Sequence, residues 1–232
     1  MSANLYSTTE RTLAESACAA IHGALAVLPI LNSPSDVPFL DGLYFFYEEA
    51  ETSAHGPNGR IVRVGNHPGS EAGLRRRLRN HYSGRKNGSV FRKFLGGALL
   101  RKRNPLDPCL MPGPGKGHWE RQGAQPCEKC LPLEGEVSKL LRCSFHFRCV
   151  MVLDRAERNE LEEALVATLA ACPVCNSSVT WLGLHAYNKS VRCSGLWNSE
   201  FVGHRPILGT RLGRLRQLVD LSAGLFAGGE KQ

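Results

Sequence analysis

The stretch "GLYFFYEEAETSAHGPNGRIVRVG" occupies residues 42–65. Residues 42–49 are a run of aromatics, and residues 60–65 alternate β-branched side chains with arginine. Both compositions favour strands. Residues 50–59, "AETSAHGPNG", are rich in turn formers. The pattern predicts an antiparallel hairpin with a long loop. Directly after Gly65 comes "NHPGSEAG", then "LRRRLRNHYSG". Leu74, Leu78 and His81 or Tyr82 fall at helical spacing, so a helix is expected near residues 74–82. A strand, a glycine turn and an arginine-bearing helix therefore follow one another, and they bring positive charge to one end of the sheet.

The rest of the chain is read outward from this unit. Residues 1–35 pattern as helix, with Ser7, Thr8 or Thr9 as N-caps and "NSPSDVP" as the stop. Residues 89–103, "SVFRKFLGGALLRKR", suggest a helix broken or bent near Gly96 and Gly97. Residues 104–136 are dense in proline and glycine and read as a long excursion outside the core. "SFHFRCVMVLD", residues 144–154, is expected to be a third strand. Residues 155–171, "RAERNELEEALVATLAA", are expected to form a helix with Leu161, Leu165, Val166 and Leu169 as its apolar stripe. Residues 205–221 are basic and helical in their second half, either as an arm on a polyanion or as a packed helix. The expected class is α/β (α+β), a small central, mostly antiparallel sheet flanked by helices. Helical additions are expected at residues 1–36 and 204–232, around a domain of residues 37–203.

Composition narrows the partners. At 42% hydrophobic and 22% charged residues the chain can bury a core. Its net charge of +8 favours polyanions, nucleic acid ahead of an anionic membrane. Arg75, Arg76, Arg77, Arg79, Arg85, Lys86, Arg92, Lys93, Arg101, Lys102 and Arg103 crowd residues 75–103. The most apolar stretch, residues 17–31, is interrupted by His22 and ends near a proline, too short to span a bilayer comfortably. Glu10, Arg11 and Glu15 precede it, which argues against a signal peptide. A cytoplasmic location with reduced thiols is the expectation for the nine cysteines. A membrane partner is not expected, and oligomeric state is left open.

Several short motifs in this order resemble the GIY-YIG nuclease family: Gly42-Leu43-Tyr44, Arg63-Val64-Gly65, "LRRRLRNH", "LEEALV" and "SGLWN". The resemblance covers roughly residues 40–200. It implies a nuclease fold with Arg77 as catalytic arginine, Glu162 as metal carboxylate, Asn198 as the late asparagine, and Tyr44 as a helper of the nucleophile. It implies Mg²⁺ or Mn²⁺ as cofactor and DNA as partner, with RNA still open. One departure stands out. Arg63 occupies a position where the family usually has tyrosine, and a guanidinium does not lose a proton near neutral pH.

The chemistry supports this set from the residues alone. Phosphodiester hydrolysis needs an activated water and positive charge on the phosphate. Arg77 offers a bidentate cation, and His81 lies one turn later on the same face as a base or phosphate ligand. Glu162 lies beside the apolar stripe, where a carboxylate is costly unless paired or metal-bound. Arg63 shares strand parity with Ile61 and Gly65 and is a candidate to bind phosphate or to pair with Glu48. Arg75, Arg76, Arg79, Lys86 and Arg92 are further candidates for phosphate contact.

Two Cys-x-x-Cys pairs, Cys127 with Cys130 and Cys172 with Cys175, are candidate ligands of one shared structural zinc. Cys18, Cys109, Cys143, Cys149 and Cys193 read as packing residues or free thiols. Trp119, Trp181 and Trp197 read as core or loop anchors rather than base-stacking platforms. The leading expectation is a divalent-metal-dependent endonuclease acting on DNA. The alternatives are a non-catalytic nucleic-acid-binding module on the same scaffold and a zinc-stapled interaction protein.

Overall fold

The computed structural model describes residues 6–67, 73–110, 119–121, 127–207 and 209–228. Its centre is an antiparallel sheet of three strands: β1 (Gly42–Glu48), β2 (Ile61–Gly65) and β3 (Phe145–Met151), in the order β2-β1-β3. The aromatic run becomes the central strand because it is buried on both faces along its whole length. A strand with no solvent face has no reason to alternate polar with apolar. β1 pairs with β3 from Gly42 opposite Met151 to Glu48 opposite Phe145.

The β1–β2 ladder carries an irregularity. Tyr44, Phe45 and Phe46 face Gly65, Val64 and Arg63, but Tyr47 faces Ile61. One extra residue, Val62, is thus inserted, as in a β-bulge. The bulge overturns the simple parity expected for β2. Arg63 keeps company with Gly65 and Tyr44 on one face, while Ile61 joins Leu43, Phe45 and Tyr47 in the cluster on the other.

Among the described residues seven α-helices surround the sheet: α1 (Thr8–Leu25), α2 (Gly73–Tyr82), α3 (Val90–Arg103), α4 (Leu131–Ser144), α5 (Arg155–Ala171), α6 (Lys189–Ser194) and α7 (Gly209–Gly228). The fold is α+β. The face bearing Tyr44 and Phe46 packs against side chains of α2, α3 and α4. The opposite face packs against α1, α5 and α7. The basic C-terminal segment is therefore a packed helix, with Leu215, Leu218 and Val219 buried. No helix among the described residues is long and apolar enough to cross a membrane.

Local chemistry explains the helix boundaries. Ser7 starts α1 with a capping box, its side chain and that of Glu10 each bonding the other's backbone. Asp154 caps α5 by accepting from the Glu157 N–H. α3 runs unbroken through Gly96 and Gly97, contrary to the expected bend. The glycines serve a close approach instead. A Cβ on Gly96 would lie 2.1 Å from the Trp119 ring.

The excursion also differs from expectation. Trp119 is wholly buried in the core, and residues 131–144 form α4, which was not anticipated. Leu133, Val137 and Leu141 make its buried stripe at successive i, i+4 positions. Residues 111–118 and 122–126 of that excursion, and residues 68–72 of the expected glycine turn, lie outside the described set.

Both sheet edges are covered, which removes open pairing sites. On the β3 side, Leu31 and Phe147 exchange backbone hydrogen bonds of 2.8 and 2.9 Å. On the β2 side, the Trp197 N–H donates to the Val62 carbonyl at 2.7 Å.

Candidate active site

The site is built at the β2 edge of the sheet, where the two helical layers meet. Asn198 supplies its outer wall. The side-chain amide accepts from the Val64 N–H at 3.1 Å and donates to the Val64 carbonyl at 2.8 Å. Asn198 thus completes the edge strand as a neighbouring backbone would. One N–H and one lone pair of the amide remain for another partner.

Beneath the edge lies a buried polar chain. Tyr44 faces Gly65 across the ladder, and its ring lies over the bare glycine. A Cβ at position 65 would lie 2.2 Å from the Tyr44 Oη, so only glycine fits. Tyr44 Oη sits 2.9 Å from His81 Nε2, and His81 Nδ1 sits 2.7 Å from Ser89 Oγ. Ser89 in turn caps α3 by accepting from the Arg92 N–H. Burial pushes the His81 pKa well below its ordinary value, and the nearby charges of Arg77, Arg63 and Arg92 push the same way. The imidazole is therefore neutral at pH 7, with one N–H and one lone pair, which gives the chain a donor-to-acceptor direction. Tyr44 and His81 are both fully buried, so they underlie the cleft rather than line it.

Above this chain opens a cleft of about 190 Å³ lined by Arg63, Asn66, Arg77, Val90, Glu162, Asn198, Ser199, Glu200 and Phe201. The sequence placed Arg63, Arg77, Glu162 and Asn198 far apart, and the fold brings all four to this one cavity. Arg63 donates through Nη1 to the Trp197 carbonyl and lies 5.2 Å from the centre of the Phe91 ring. It does not pair with Glu48, whose carboxylate instead accepts from the indoles of Trp181 and Trp197 at 2.9 and 3.4 Å. The Nε atoms of Arg63 and Arg77 are buried with no hydrogen-bond partner among the described residues. Unpaired buried donors of this kind are expensive.

Glu162 answers those cations across the cleft. Burial is the largest influence on its carboxyl and lifts the pKa to about 7. Arg63 and Arg77 draw it down, Glu200 draws it up, and a hydrogen bond from the Asn66 backbone steadies the charged form. Such a carboxyl is half-ionised near neutrality and gains by meeting a cation. Phe201 at the rim holds φ at 65°, which is strained for a bulky residue.

The remaining expected phosphate ligands divide. Arg76 and Arg79 are exposed on α2. Arg75 is partly buried, with Nε donating to the Val37 carbonyl at 2.7 Å. Lys86 and Arg92 do not face a phosphate, since they are 1% and 0% exposed. Lys86 Nζ bonds the Asn87 side chain and the Arg121 carbonyl. Arg92 pairs with Glu134 at 2.7 Å and donates to the His81 carbonyl, tying α2, α3 and α4 together. Glu200 and Asn66 were missed in the sequence. Their only signal is adjacency, to Asn198 and Gly65 respectively.

The two Cys-x-x-Cys pairs do not converge. Cys127 and Cys130 gather with Cys109, whereas Cys172 and Cys175 lie with Cys18, His22 and His55. A single shared zinc is therefore ruled out by placement, and Cys18 and Cys109 each lie beside one of the two pairs.

Among known proteins, no curated protein and no solved structure matches the chain. A family model described as "GIY-YIG domain" matches residues 22–222, a span holding all three strands, the arginine helix and the cleft. Since that match takes in most of the chain, the protein belongs to the GIY-YIG domain family, whose members are generally endonucleases.

Proposed function

We propose that the protein is a divalent-metal-dependent endonuclease that hydrolyses DNA phosphodiester bonds in the Arg63–Arg77–Glu162 cleft. The observation that carries this reading is the meeting of two guanidinium groups with unpaired Nε donors and a carboxyl lifted to about 7 in one small cavity. The cations suit a phosphate, and the carboxyl suits a metal ion.

Glu162, with Glu200 beside it, offers the hard oxygen donors that Mg²⁺ or Mn²⁺ prefers. When bound there, such an ion supplies Lewis-acid stabilisation of charge on the phosphate and its leaving oxygen. The protein's own side chains do the rest. Arg77 and Arg63 bind and orient the phosphate, and their fixed charge stabilises the extra negative charge of the transition state. Asn198 holds the cleft wall and offers its remaining N–H to a phosphate oxygen or a water. Neutral His81, its ring fixed by Ser89, holds the Tyr44 hydroxyl in place beneath the cleft, where the hydroxyl can help position the attacking water. This arrangement uses one tyrosine where the family pattern has two, and Arg63 takes a binding role at the second position. Exposed Arg76 and Arg79 add sequence-independent phosphate contacts.

A binding module without catalysis is the second reading. The full burial of Tyr44 and His81 and the arginine at position 63 favour it. The two are separated by incubating supercoiled and branched DNA, and a matching RNA, with Mg²⁺, Mn²⁺ or chelator, beside Glu162→Ala. Metal-dependent cutting that disappears in the variant supports the nuclease. Tight, salt-sensitive binding with no cutting in any metal rejects it.

A further inference from the structure

We propose that Cys18, Cys172 and Cys175, with one imidazole of the His22–His55 pair, form a structural zinc site. The site staples the N-terminal helix to the end of α5 and to the β1–β2 loop. It is separate from the cleft. Glu162 and Cys172 are ten positions apart on and just beyond α5, or about 15 Å along a helix.

Three segments deliver the donors. α1 carries Cys18 and His22 at i, i+4 spacing, on one face of the helix. Cys172 is the C-cap of α5, and Cys175 follows after Pro173 and Val174. His55 comes from the hairpin loop, where Ser53 and Gly56 form a small bridge. The donor atoms of Cys18, His22 and Cys175 lie within 4.8 Å of one another, and so do those of Cys18, His55 and Cys172. Cys18 is the member common to both groups.

The spacing fits a tetrahedral ion. His55 Nε2 is 3.3 Å from Cys172 Sγ, and His22 Nε2 is 3.9 Å from Cys175 Sγ. Zinc bonds of about 2.3 Å to sulfur and about 2.0 Å to nitrogen place neighbouring ligand atoms roughly 3.5–3.8 Å apart. All nine cysteines are free, so no disulfide accounts for the cluster.

The surroundings favour thiolates. The backbone N–H groups of Val174 and Cys175 bond the Cys172 sulfur, and the Ser53 hydroxyl lies 3.6 Å from Cys175 Sγ. Such outer contacts orient metal ligands and support their charge. Cys18, Cys172, Cys175 and His22 are all buried. Three soft donors and an imidazole, closed off from solvent, select zinc in a structural role over Mg²⁺ or Ca²⁺. Cys109, Cys127 and Cys130 offer only three donors among the described residues, with sulfur separations of 3.4 and 3.2 Å, and carry no comparable set.

The test is metal content by mass spectrometry of protein purified under reducing conditions, in a Cys127→Ser background that weakens the other thiol group. About one zinc per chain is expected, falling about tenfold in Cys18→Ser and in Cys175→Ser. His22→Ala and His55→Ala identify the fourth ligand, one losing zinc and the other keeping it. If the cysteine variants fail to fold, cobalt(II) is loaded into the chain with its cysteines 18, 172 and 175 intact. Tetrahedral d–d bands with thiolate-to-cobalt charge transfer support the site. Zinc that is absent from the start, or unchanged by both cysteine substitutions, overturns it. So does a Cys18–Cys172 or Cys18–Cys175 disulfide in the reduced preparation.

Discussion

The β1–β2 hairpin and α5 run between two clusters of opposite chemistry. At one end, Arg63, Arg77, Glu162 and Glu200 line an open cleft of hard oxygen donors and guanidinium groups. At the other end, half-buried His55 joins buried Cys18, His22, Cys172 and Cys175 in a set of sulfur and imidazole. An open site with unpaired donors has room for substrate and for a metal that keeps some waters. A closed site spends all its donors on one ion and leaves none for chemistry. The same two elements can thus hold a reactive end steady by locking the other. On this account, changes at the cleft remove activity and spare the fold, while changes at the thiol cluster loosen the fold.

Arg77→Ala is expected to have the largest effect at the cleft. Loss of a fixed cation at the phosphate is expected to lower the cutting rate by about 10²–10³, with the thermal midpoint nearly unchanged. Single-turnover cleavage and a melting curve on one preparation check both halves. If the midpoint collapses instead, Arg77 is structural and the cleft loses its claim.

Stripping the thiol cluster should give the inverse pattern. A strong zinc chelator is expected to lower the melting midpoint by several degrees, since metal-binding energy at such a site is folding energy. The cutting rate per folded molecule at 25 °C should be preserved once Mg²⁺ is resupplied. A lost rate at an unchanged midpoint would place the zinc in the chemistry.

Acid should act on the cleft through Glu162. Its carboxyl rises from an ordinary value of 4.5 to about 7 in the folded protein, mainly by burial. The folded protein therefore holds a proton through that window, where the unfolded chain has lost it. The stability contributed by this group falls as pH rises from 4.5 to 7. A divalent ion competes with the same proton. With metal below saturation, cutting should fall roughly tenfold per unit below about pH 7, and raising metal should move the profile toward acid. A profile insensitive to metal would assign the titration to another group.

The smallest expected effect belongs to the exposed helix face. Replacing Arg76 and Arg79 together should weaken DNA binding at low salt and reduce the salt slope by about 2. The cutting rate at saturating DNA should stay the same.

Much of this arrangement was legible in the sequence, and the losses have physical causes. The central strand, its hairpin partner, β3 and α5 announced themselves through aromatic runs and a 3.6-residue stripe. α4 was hidden because Pro132 and Gly135 coloured its composition, although Leu133, Val137 and Leu141 already marked a helical face. The Gly96–Gly97 pair looked like a bend because a close ring approach leaves no local trace. The bulge at Val62 reassigned Ile61, and register irregularities are invisible to simple alternation. Arg77, Glu162 and Asn198, which line the cleft, had been singled out by motif, whereas Glu200 has no motif of its own. The cluster around Cys18 joins residues more than 150 positions apart. Its one local hint, Cys18 and His22 at i, i+4, lay unread inside an apolar helix.

The most direct test of the central claim reads activity and stability together in Glu162→Gln at pH 8. The substitution keeps the shape of the side chain and removes its charge. Mg²⁺-dependent cutting is expected to fall at least about 10³-fold. The metal-free protein is expected to be equally or more stable to urea, with an unfolding free energy higher by up to about 3 kcal/mol, since a buried charge has been removed. Cutting that survives the substitution would remove Glu162 from the metal site.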